Sequence, residues 1–319
     1  MNELIAGSGS GKVPAVLAAM RTEDKTRFAE FFAGQIRNRN TRRAYLRATL
    51  DFCAFIDARG IDGLRAIEPL HVAAWVETLT RGHAAPTVKV RLAAIRHLFD
   101  WMVTGQALPF NPAHAVRGPK HSVKRGKTVV LAADEARQLL DAIDVLTLRG
   151  QRDRALIGLM VYSFARIGAA ISMTVADVFH ERRRLWVRLH EKGGKEHVMP
   201  CHHNLETYLA DYLDRAGLRD TPVSPLFQSM PRRSEALTGR PLAQSDAFQI
   251  IRRRAEAAGI TAKIGNHSFR ATGITAYLKN GGTLESAAAM ANHASMRTTQ
   301  LYDRRPDDVT LDEVERIVI

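Results

Sequence analysis

The sequence contains few cysteines and has no long apolar segment. Its 319 residues include only two cysteines, Cys53 and Cys201, which excludes a disulfide framework and a paired Cys-x-x-Cys zinc site. No stretch approaches the roughly 20 apolar residues of a transmembrane helix, and the N-terminus lacks the apolar core of a secretory signal. These absences predict a cytoplasmic protein.

Acidic residues are scarce relative to basic ones. The chain has 46 Lys and Arg against 33 Asp and Glu, a formal net charge of +13, and a pI near 10.2. Such a surplus favours polyanionic partners, because Lys and Arg that neutralise phosphates release condensed counterions. Residues 303–319 reverse the sign, with six acidic and three basic side chains. That last segment is better suited to contact protein than nucleic acid.

Two groups of residues suggest a ligand site but do not match its spacing. The run from Gly7 to Lys12 resembles a phosphate-binding loop, but Ala6 stands at the first glycine position and Val13 replaces the required Ser or Thr. The second group does not fit the ligand spacing of zinc sites, and its members are His190, Cys201, His202 and His203. We therefore expect no nucleotide, metal or other cofactor.

Hydrophobic periodicity changes once along the chain. Residues 23–110 show helical spacing, with stops at Gly60 and Gly105. Between Arg184 and Pro200 the period becomes that of a strand, and the glycines at 193–194 provide a turn, so this segment is predicted to be a β-hairpin. The remainder of the chain is predicted to be largely helical.

Arg166 interrupts the mostly apolar run 156–173. A guanidinium buried among apolar side chains is costly unless an anion compensates its charge. Arg166 is therefore a candidate for binding an external anion. The alternatives are an internal salt bridge or an arginine at a helix end.

The segment 266–270 predicts the start of a helix that continues to about Lys279. With Asn266 as the N-cap, His267 and Arg270 lie in the first turn and share a face. Free backbone N–H groups and the positive end of the helix dipole make that face a natural phosphate site. A coincidental surface pair is the alternative.

Tyr302 follows His293 by nine residues. A lone tyrosine is usually a core or surface residue, and its phenol has a pKa near 10. It therefore needs a neighbouring base or cations to act as a nucleophile.

The order of these residues along the chain resembles the tyrosine recombinase (phage integrase) family. The specific segments are EKGGKEHVMP at 191–200, HSFR at 267–270 and NHASMRTTQLY at 292–302, and the likeness covers nearly everything after about residue 25. The resemblance implies six catalytic residues, which are Arg166, Lys192, His267, Arg270, His293 and Tyr302.

The resemblance also implies a reaction. Tyr302 attacks a DNA phosphate and forms a 3′-phosphotyrosine, while the two arginines stabilise charge on the non-bridging oxygens without a metal. Lys192 protonates the leaving 5′ oxygen, His267 assists deprotonation of the tyrosine, and His293 hydrogen-bonds the phosphate. No ATP, metal or nicotinamide is implied.

The implied fold is mainly α with a small antiparallel β-sheet, arranged as a two-domain clamp on DNA. The expected divisions are a flexible N-terminal tail (1–22), a helical core-binding, SAM-like domain (23–112), a basic linker (113–130), a mixed α+β catalytic domain (131–306) and a C-terminal tail helix (307–319).

The implied partner is double-stranded DNA at a specific site, which would place the protein on the nucleoid. The side chains expected to contact DNA are Arg42, Arg43, Lys89, Arg91, Lys120, Lys124 and Arg125. The tail has a capping box from Thr310 to Glu313 ahead of an apolar stripe. We expect it to pack in trans within a homotetramer on DNA, and the alternative is packing on its own body.

Two positions depart from the family pattern. Ala169 stands where family members often carry an acidic residue, and Asn292 replaces the glycine that usually precedes the second histidine. The first change removes a carboxylate that would support Arg166 or a catalytic histidine. Neither change removes one of the six catalytic residues.

Two other functions remain open. A type IB topoisomerase-like enzyme would use the same types of residue but relax supercoils as a monomer. A non-catalytic DNA-binding or architectural protein derived from a recombinase would bind DNA without cutting it.

Overall fold

The computed structural model describes residues 13–123, 126–191, 194–232 and 234–304. The chain divides into two compact units, the first ending at Ser122 and the second beginning at Val123. This division lies within the segment 113–130 that the sequence predicts as a linker. None of the described helices is long and apolar enough to cross a membrane.

The first unit is helical. Its α-helices are α1 (Ala15–Ala18), α2 (Thr22–Glu30), α3 (Arg39–Asp57), α4 (Pro69–Gly82) and α5 (Ala85–Thr104), with a π-helical turn at Phe31–Gln35 and a 3₁₀ turn at Leu64–Ala66.

Local signals determine where these helices begin and end. The side chain of Asn38 accepts hydrogen bonds from the backbone N–H groups of Asn40 and Thr41 and so caps the start of α3. Pro69 is the first residue of α4, where its missing N–H leaves no hydrogen bond unmade. Gly105 follows the last residue of α5, as the sequence predicts.

The core of the first unit is centred on aromatic side chains. The buried ring of Phe52 in α3 lies 5.0 Å from the ring of Trp75 in α4 and 6.0 Å from that of Phe99 in α5, both edge to face. This geometry is favourable for aromatic pairs. The apolar residues at helical spacing in α3 and α5 are buried with them, including Leu46, Leu50, Cys53, Ile56, Leu92, Ile95, Leu98 and Met102.

Part of the predicted N-terminal tail is folded into this unit. Val16 and Leu17 of α1 are buried in the same core. The carboxylate of Asp57 accepts hydrogen bonds from the backbone N–H groups of Ala15, at 2.5 Å, and Val16, at 2.8 Å. The expectation of a flexible tail therefore does not hold for residues 13–22, because a distant carboxylate caps a helix too short to be stable alone. The earlier residues, 1–12, lie outside the described part.

The second unit contains helices and a small sheet. Its elements are α6 (Ala133–Asp141), α7 (Leu148–Tyr162), α8 (Ile167–Ser172), a 3₁₀ turn (Val175–Asp177), β1 (Val178–Glu181), β2 (Arg184–Glu191), β3 (Lys195–Pro200), α9 (His203–Ala216), α10 (Gln244–Ala257), α11 (Asn266–Lys279), α12 (Leu284–Met290) and α13 (Met296–Gln300).

The sheet is antiparallel, in the order β1-β2-β3. Leu185, Val187 and Leu189 of the central strand are buried, as their alternation in the sequence predicts. Val187 pairs with Val178 of β1 and Met199 of β3. The predicted hairpin from 184 to 200 is therefore confirmed, and the mainly α fold with a small antiparallel sheet is confirmed with it.

Close packing of α11 against α7 fixes the centre of this unit. A Cβ atom at Gly273 of α11 would collide with the carbonyl oxygen of Val161 in α7 and with the ring of Phe164. Phe164 itself has a positive φ of 53°, which turns the chain sharply between α7 and α8. These contacts bring the start of α8 and the first turns of α11 close together.

Candidate active site

The start of α11 differs by one residue from the prediction. Gly265 is the N-cap, Asn266 is the first helical residue, and the Ser268 hydroxyl accepts a hydrogen bond from the Gly265 N–H at 3.2 Å. The capping oxygen comes from Ser268 inside the helix, and Asn266 is not the N-cap that the sequence predicts. His267 therefore lies in the first turn, exposed, and Arg270 in the second, buried.

Arg270 is almost completely enclosed, with 2% of its surface exposed. Its guanidinium donates hydrogen bonds to the backbone carbonyls of Phe164 and Ala291, the latter at 2.5 Å. It also bonds to Nε2 of His293 at 2.7 Å. All of these partners are neutral acceptors, and none of the ion pairs found among the described residues involves Arg270.

Arg166 occupies a different environment from the one its sequence context suggests. It is the N-cap residue of α8, and 37% of its side chain is exposed. Its guanidinium pairs with the buried carboxylate of Glu191, at 2.5 Å, at the end of β2. The guanidinium is therefore not buried among apolar side chains, and both alternatives that the sequence left open, an arginine at a helix end and an internal salt bridge, describe it. Ala169 is buried in the core.

Tyr302 follows α13 and is partly buried. Its phenol lies close enough to the Arg270 guanidinium to influence the pKa of that group, and its ring stacks on that of His293 with centroids 5.8 Å apart. Its carbonyl oxygen accepts a hydrogen bond from the Thr275 hydroxyl at 2.8 Å. Interactions on both sides therefore hold the tyrosine beside the arginine.

The pKa shifts in this cluster all point in the direction that excess positive charge produces. Burial, and then the charge of Arg166, lower the pKa of Arg270 to about 10. Burial, followed by the charges of Arg270 and Arg166, lowers the pKa of His293 to about 4. Partial loss of hydration, followed by the charges of Arg270 and Arg166, also lowers the pKa of His267, although the residue is exposed. An anion bound here would oppose these shifts, because a nearby negative charge favours the protonated form of each group.

Five of the six residues predicted to be catalytic are close together in the second unit. Arg270, His293 and Tyr302 are linked by contacts. Arg166 and His267 lie near them, because the charge of Arg166 lowers the pKa values of Arg270 and His293, and both arginines lower that of His267. Lys192 lies outside the described residues, although Glu191, which precedes it, is bonded to Arg166. Their catalytic roles stay predictions.

Three side chains of this cluster were not predicted from the sequence. They are Glu191, which pairs with Arg166; Thr299, whose hydroxyl lies 2.8 Å from Nδ1 of His293; and Thr275, which holds the backbone of Tyr302. Strand alternation already places Glu191 on the buried face, which implies a cationic partner. No local pattern identifies the two threonines.

The residues predicted to contact DNA are in part exposed. Arg43, Lys89 and Lys120 are exposed on the first unit and available to a phosphate backbone. Lys124 and Arg125 lie outside the described residues, as does the predicted tail helix 307–319.

Two further predicted DNA contacts are engaged within the chain. Arg42 is partly buried and donates a hydrogen bond from Nε to the carbonyl of Ile36 at 3.0 Å. Arg91 pairs with Asp51 at 2.8 Å. To bind a phosphate, Arg91 would have to share that ion pair.

The histidines near the hairpin have partners other than a metal. His190 lies 2.9 Å from the buried carboxylate of Asp177, and the ring of His202 stacks on that of Tyr162. Within the described ranges, no group of three or more His, Cys, Asp or Glu is placed to hold a metal ion.

Two protein-family models match this chain. A family model described as "Phage integrase family" matches residues 129–308, more than half of the chain, and one described as "Phage integrase, N-terminal SAM-like domain" matches residues 27–106.

Curated relatives align over most of their length. The chain is 27% identical over 284 residues to tyrosine recombinase XerC of Myxococcus xanthus, covering 87% of this chain and 90% of the relative. It is 28% identical over 274 residues to tyrosine recombinase XerD of Corynebacterium glutamicum, covering 82% and 86%.

Solved structures share the fold. XerH recombinase bound to difH substrate, in a post-cleavage complex, superposes with a TM-score of 0.70 at 18% identity, over 96% of each chain. A lambda integrase tetramer bound to a Holliday junction gives 0.67 at 18% identity, over 97% of this chain and 86% of the other. Together with the family match, these likenesses identify the chain as a member of the phage integrase (tyrosine recombinase) family.

Proposed function

We propose that this protein is a site-specific DNA recombinase that cleaves and rejoins DNA strands through a 3′-phosphotyrosine at Tyr302. The observation that carries the proposal is that the buried guanidinium of Arg270 donates hydrogen bonds to backbone carbonyls and a histidine and joins none of the ion pairs of the described residues, with the charge of Arg166 and the phenol of Tyr302 nearby. A buried guanidinium without an ion pair is suited to bind an external anion. Because a tyrosine lies beside it, the anion that fits best is a phosphodiester that the tyrosine can attack.

The reaction assigns each group one step. The Tyr302 oxygen attacks the phosphorus, and its proton passes to His267, whose lowered pKa keeps it neutral and able to accept at pH 7. The phosphorus–5′ oxygen bond breaks, and Lys192 protonates the departing oxygen. A 5′ hydroxyl from another strand then attacks the phosphotyrosine and releases the tyrosine, so the bond energy is conserved without a cofactor.

Arg166 and Arg270 stabilise the charge that develops on the non-bridging oxygens. Arg270 is held by fixed backbone carbonyls and Arg166 by Glu191, so little reorganisation is needed when the phosphate enters. The exposed cations Arg43, Lys89 and Lys120 of the first unit suit contacts to a phosphate backbone.

The partner is a DNA duplex with a specific site, and the assembly on it is a homotetramer. The lambda integrase relative is a tetramer on its junction DNA, and the acidic segment 303–319 of this chain suits a contact with a neighbouring basic subunit. Exchange of this tail between subunits would make cleavage depend on assembly.

Covalent capture tests the proposal. The full-length protein is incubated with a library of nicked duplexes of randomised sequence, so that cleavage near a nick releases a short fragment and traps the enzyme. DNA that survives a denaturing wash is then sequenced. We expect one recurring site with wild type, and none with Tyr302→Phe at unchanged DNA binding. The matched control is Tyr277→Phe, a tyrosine of the same small apolar cluster, which should trap DNA like wild type.

Three results would contradict the proposal. Trapping by Tyr302→Phe would mean that another residue is the nucleophile. Sequence-specific binding without any covalent product in wild type would favour the non-catalytic DNA-binding protein. Relaxation of supercoils without exchange between duplexes would instead favour the topoisomerase-like enzyme.

A further inference from the structure

We infer that Gly126, in the linker segment 113–130, is a positioning residue that binds the backbone on both sides of Tyr302 and so places the nucleophile. The inference rests on the proposed function, because it names a further residue of that site. Gly126 lies shortly after Ser122, where the first unit ends, and belongs to the second unit. It is not among the six residues that the sequence resemblance marks as catalytic.

Two hydrogen bonds join Gly126 to the chain around the tyrosine. Its N–H donates to the carbonyl oxygen of Leu301 at 2.8 Å, and its own carbonyl oxygen accepts from the guanidinium of Arg304. Leu301 directly precedes Tyr302, and Arg304 follows it closely. One linker residue is therefore bonded to the chain both before and after the nucleophile.

The segment that carries the tyrosine needs such support because α13 is short. The helix has five residues, Met296–Gln300, far fewer than a helix needs to be stable alone. The last carbonyl groups of a helix have no partner within it. Gly126 provides the partner for the carbonyl of Leu301, and the hydroxyl of Thr275 provides one for the carbonyl of Tyr302. Two successive carbonyls at the nucleophile are thus bonded from outside the helix.

A side chain at position 126 would displace this segment. A Cβ atom added to Gly126 would lie 2.8 Å from the carbonyl oxygen of Leu301, which is closer than Cβ atoms ordinarily approach. The atom in its way belongs to the backbone and cannot rotate aside as a side chain would. Because that carbonyl shares a planar peptide group with the N–H of Tyr302, a shift of the oxygen also turns the backbone of the nucleophile.

Another glycine of the same linker provides a matched control. A Cβ atom added to Gly118 would lie 3.5 Å from the side chain of Leu92 and 3.6 Å from that of Lys89, which are ordinary van der Waals distances. Gly118→Ala therefore makes the same chemical change in the linker as Gly126→Ala, without the collision.

The hydrogen bonds of Gly126 can be measured without DNA. In amide hydrogen exchange of the full-length protein, followed by NMR, we expect the Gly126 amide to exchange at least about tenfold more slowly than in an unfolded chain. Arg304→Ala should speed this exchange several-fold, because it removes the second bond. Arg297→Ala, which removes an exposed arginine of α13, should leave it unchanged. Exchange at the unfolded rate in wild type would overturn the inference.

Cleavage of the nicked duplex recovered by capture tests the positioning role. We expect Gly126→Ala to slow formation of the covalent complex at saturating protein about tenfold to a hundredfold, because a misplaced nucleophile reacts slowly. Its affinity for the duplex and its thermal midpoint should match those of wild type. Gly118→Ala should match wild type in all three measurements. A loss of stability or affinity as large as the loss of rate would show that Gly126 serves only the fold.

A second variant tests the same point without a new side chain in the linker. Arg304→Ala should slow cleavage about threefold to tenfold at unchanged affinity, through loss of one hydrogen bond. Arg297→Ala removes the same charge nearby and should cleave like wild type. Equal rates for Arg304→Ala and Arg297→Ala would contradict the inference, even if Gly126→Ala does not fold. Absence of any covalent complex in wild type would refute the recombinase function instead, while the exchange measurement still stands.

Discussion

Two arginines of the second unit are equally buried but have different kinds of partner. Arg152 and Arg270 each expose 2% of their surface. Arg152 is bonded to the fully buried carboxylate of Asp153 at 2.7 Å, and Arg254 contacts the same carboxylate at 2.8 Å. Arg270 has carbonyls, a histidine and a phenol instead. The first arrangement has its counter-charge in direct contact, whereas Arg270 has no such ion pair among the described residues and is influenced by the Glu191 carboxylate only at longer range.

This difference separates arginines that serve stability from those that serve function. A buried charge with an internal partner contributes chiefly to the fold, and losing the partner is severe. A buried charge held by neutral groups keeps its capacity for an incoming anion, at some cost to the stability of the free protein. Arg166 lies between the two, since it has a carboxylate partner but is partly exposed.

The largest effects are expected from one substitution in each of the two arrangements. Arg270→Lys keeps a donor for the carbonyls but loses the fork, so we expect cleavage to fall about a hundredfold to a thousandfold with little change in thermal stability. Asp153→Asn removes the counter-charge of Arg152, and we expect it to lower the free energy of unfolding by about 3–5 kcal/mol.

Chemical denaturation and single-turnover cleavage, measured on both variants, check this prediction. The comparison would fail if Arg270→Lys unfolded the protein while Asp153→Asn left stability unchanged.

A smaller effect is expected at Glu191, the carboxylate that orients Arg166. Glu191→Ala should slow cleavage about tenfold with DNA binding nearly unchanged, since one charged hydrogen bond to the arginine is lost. Glu191→Gln keeps a hydrogen-bond acceptor without the charge, so its cleavage rate should lie between those of wild type and Glu191→Ala. Faster cleavage by Glu191→Ala would mean instead that the carboxylate competes with the phosphate for Arg166.

The smallest effect concerns pH. The pKa of His293 is about 4 in the folded chain against 6.5 normally, so between these values the unfolded state binds the proton and the folded state does not. Its contribution to stability is therefore present above about pH 6.5 and is lost as the pH falls toward 4. Wild type should lose more stability than His293→Gln between about pH 7.5 and pH 5 in urea unfolding. Equal losses would contradict the lowered pKa.

The features predicted well from the sequence depend on neighbours along the chain. Alternation of Leu185, Val187 and Leu189 identified the hairpin, and Gly105 marked the end of α5. Each signal lies within a few residues of the element it defines. The candidate site residues could likewise be proposed from the sequence, because their order along the chain is what resembles the family.

The features predicted poorly depend on partners far away in the sequence. Asp57 caps α1 from 42 positions away, and Glu191 pairs with Arg166 across 25. Arg166 was expected to be buried because its sequence neighbours are apolar, but the turn after Phe164 directs it to the strand end. Thr299 became meaningful only when the fold set its hydroxyl against His293.

The central claim is that Arg270 is placed to bind an external anion, and a phosphate titration tests it most directly. The thermal midpoint of wild type and of Arg270→Lys is followed with inorganic phosphate at constant ionic strength, so that the general effect of phosphate on folding is common to both. A bound anion raises the midpoint by mass action. We predict a saturating rise in wild type that is largely absent in Arg270→Lys; the same rise in both proteins would contradict the account.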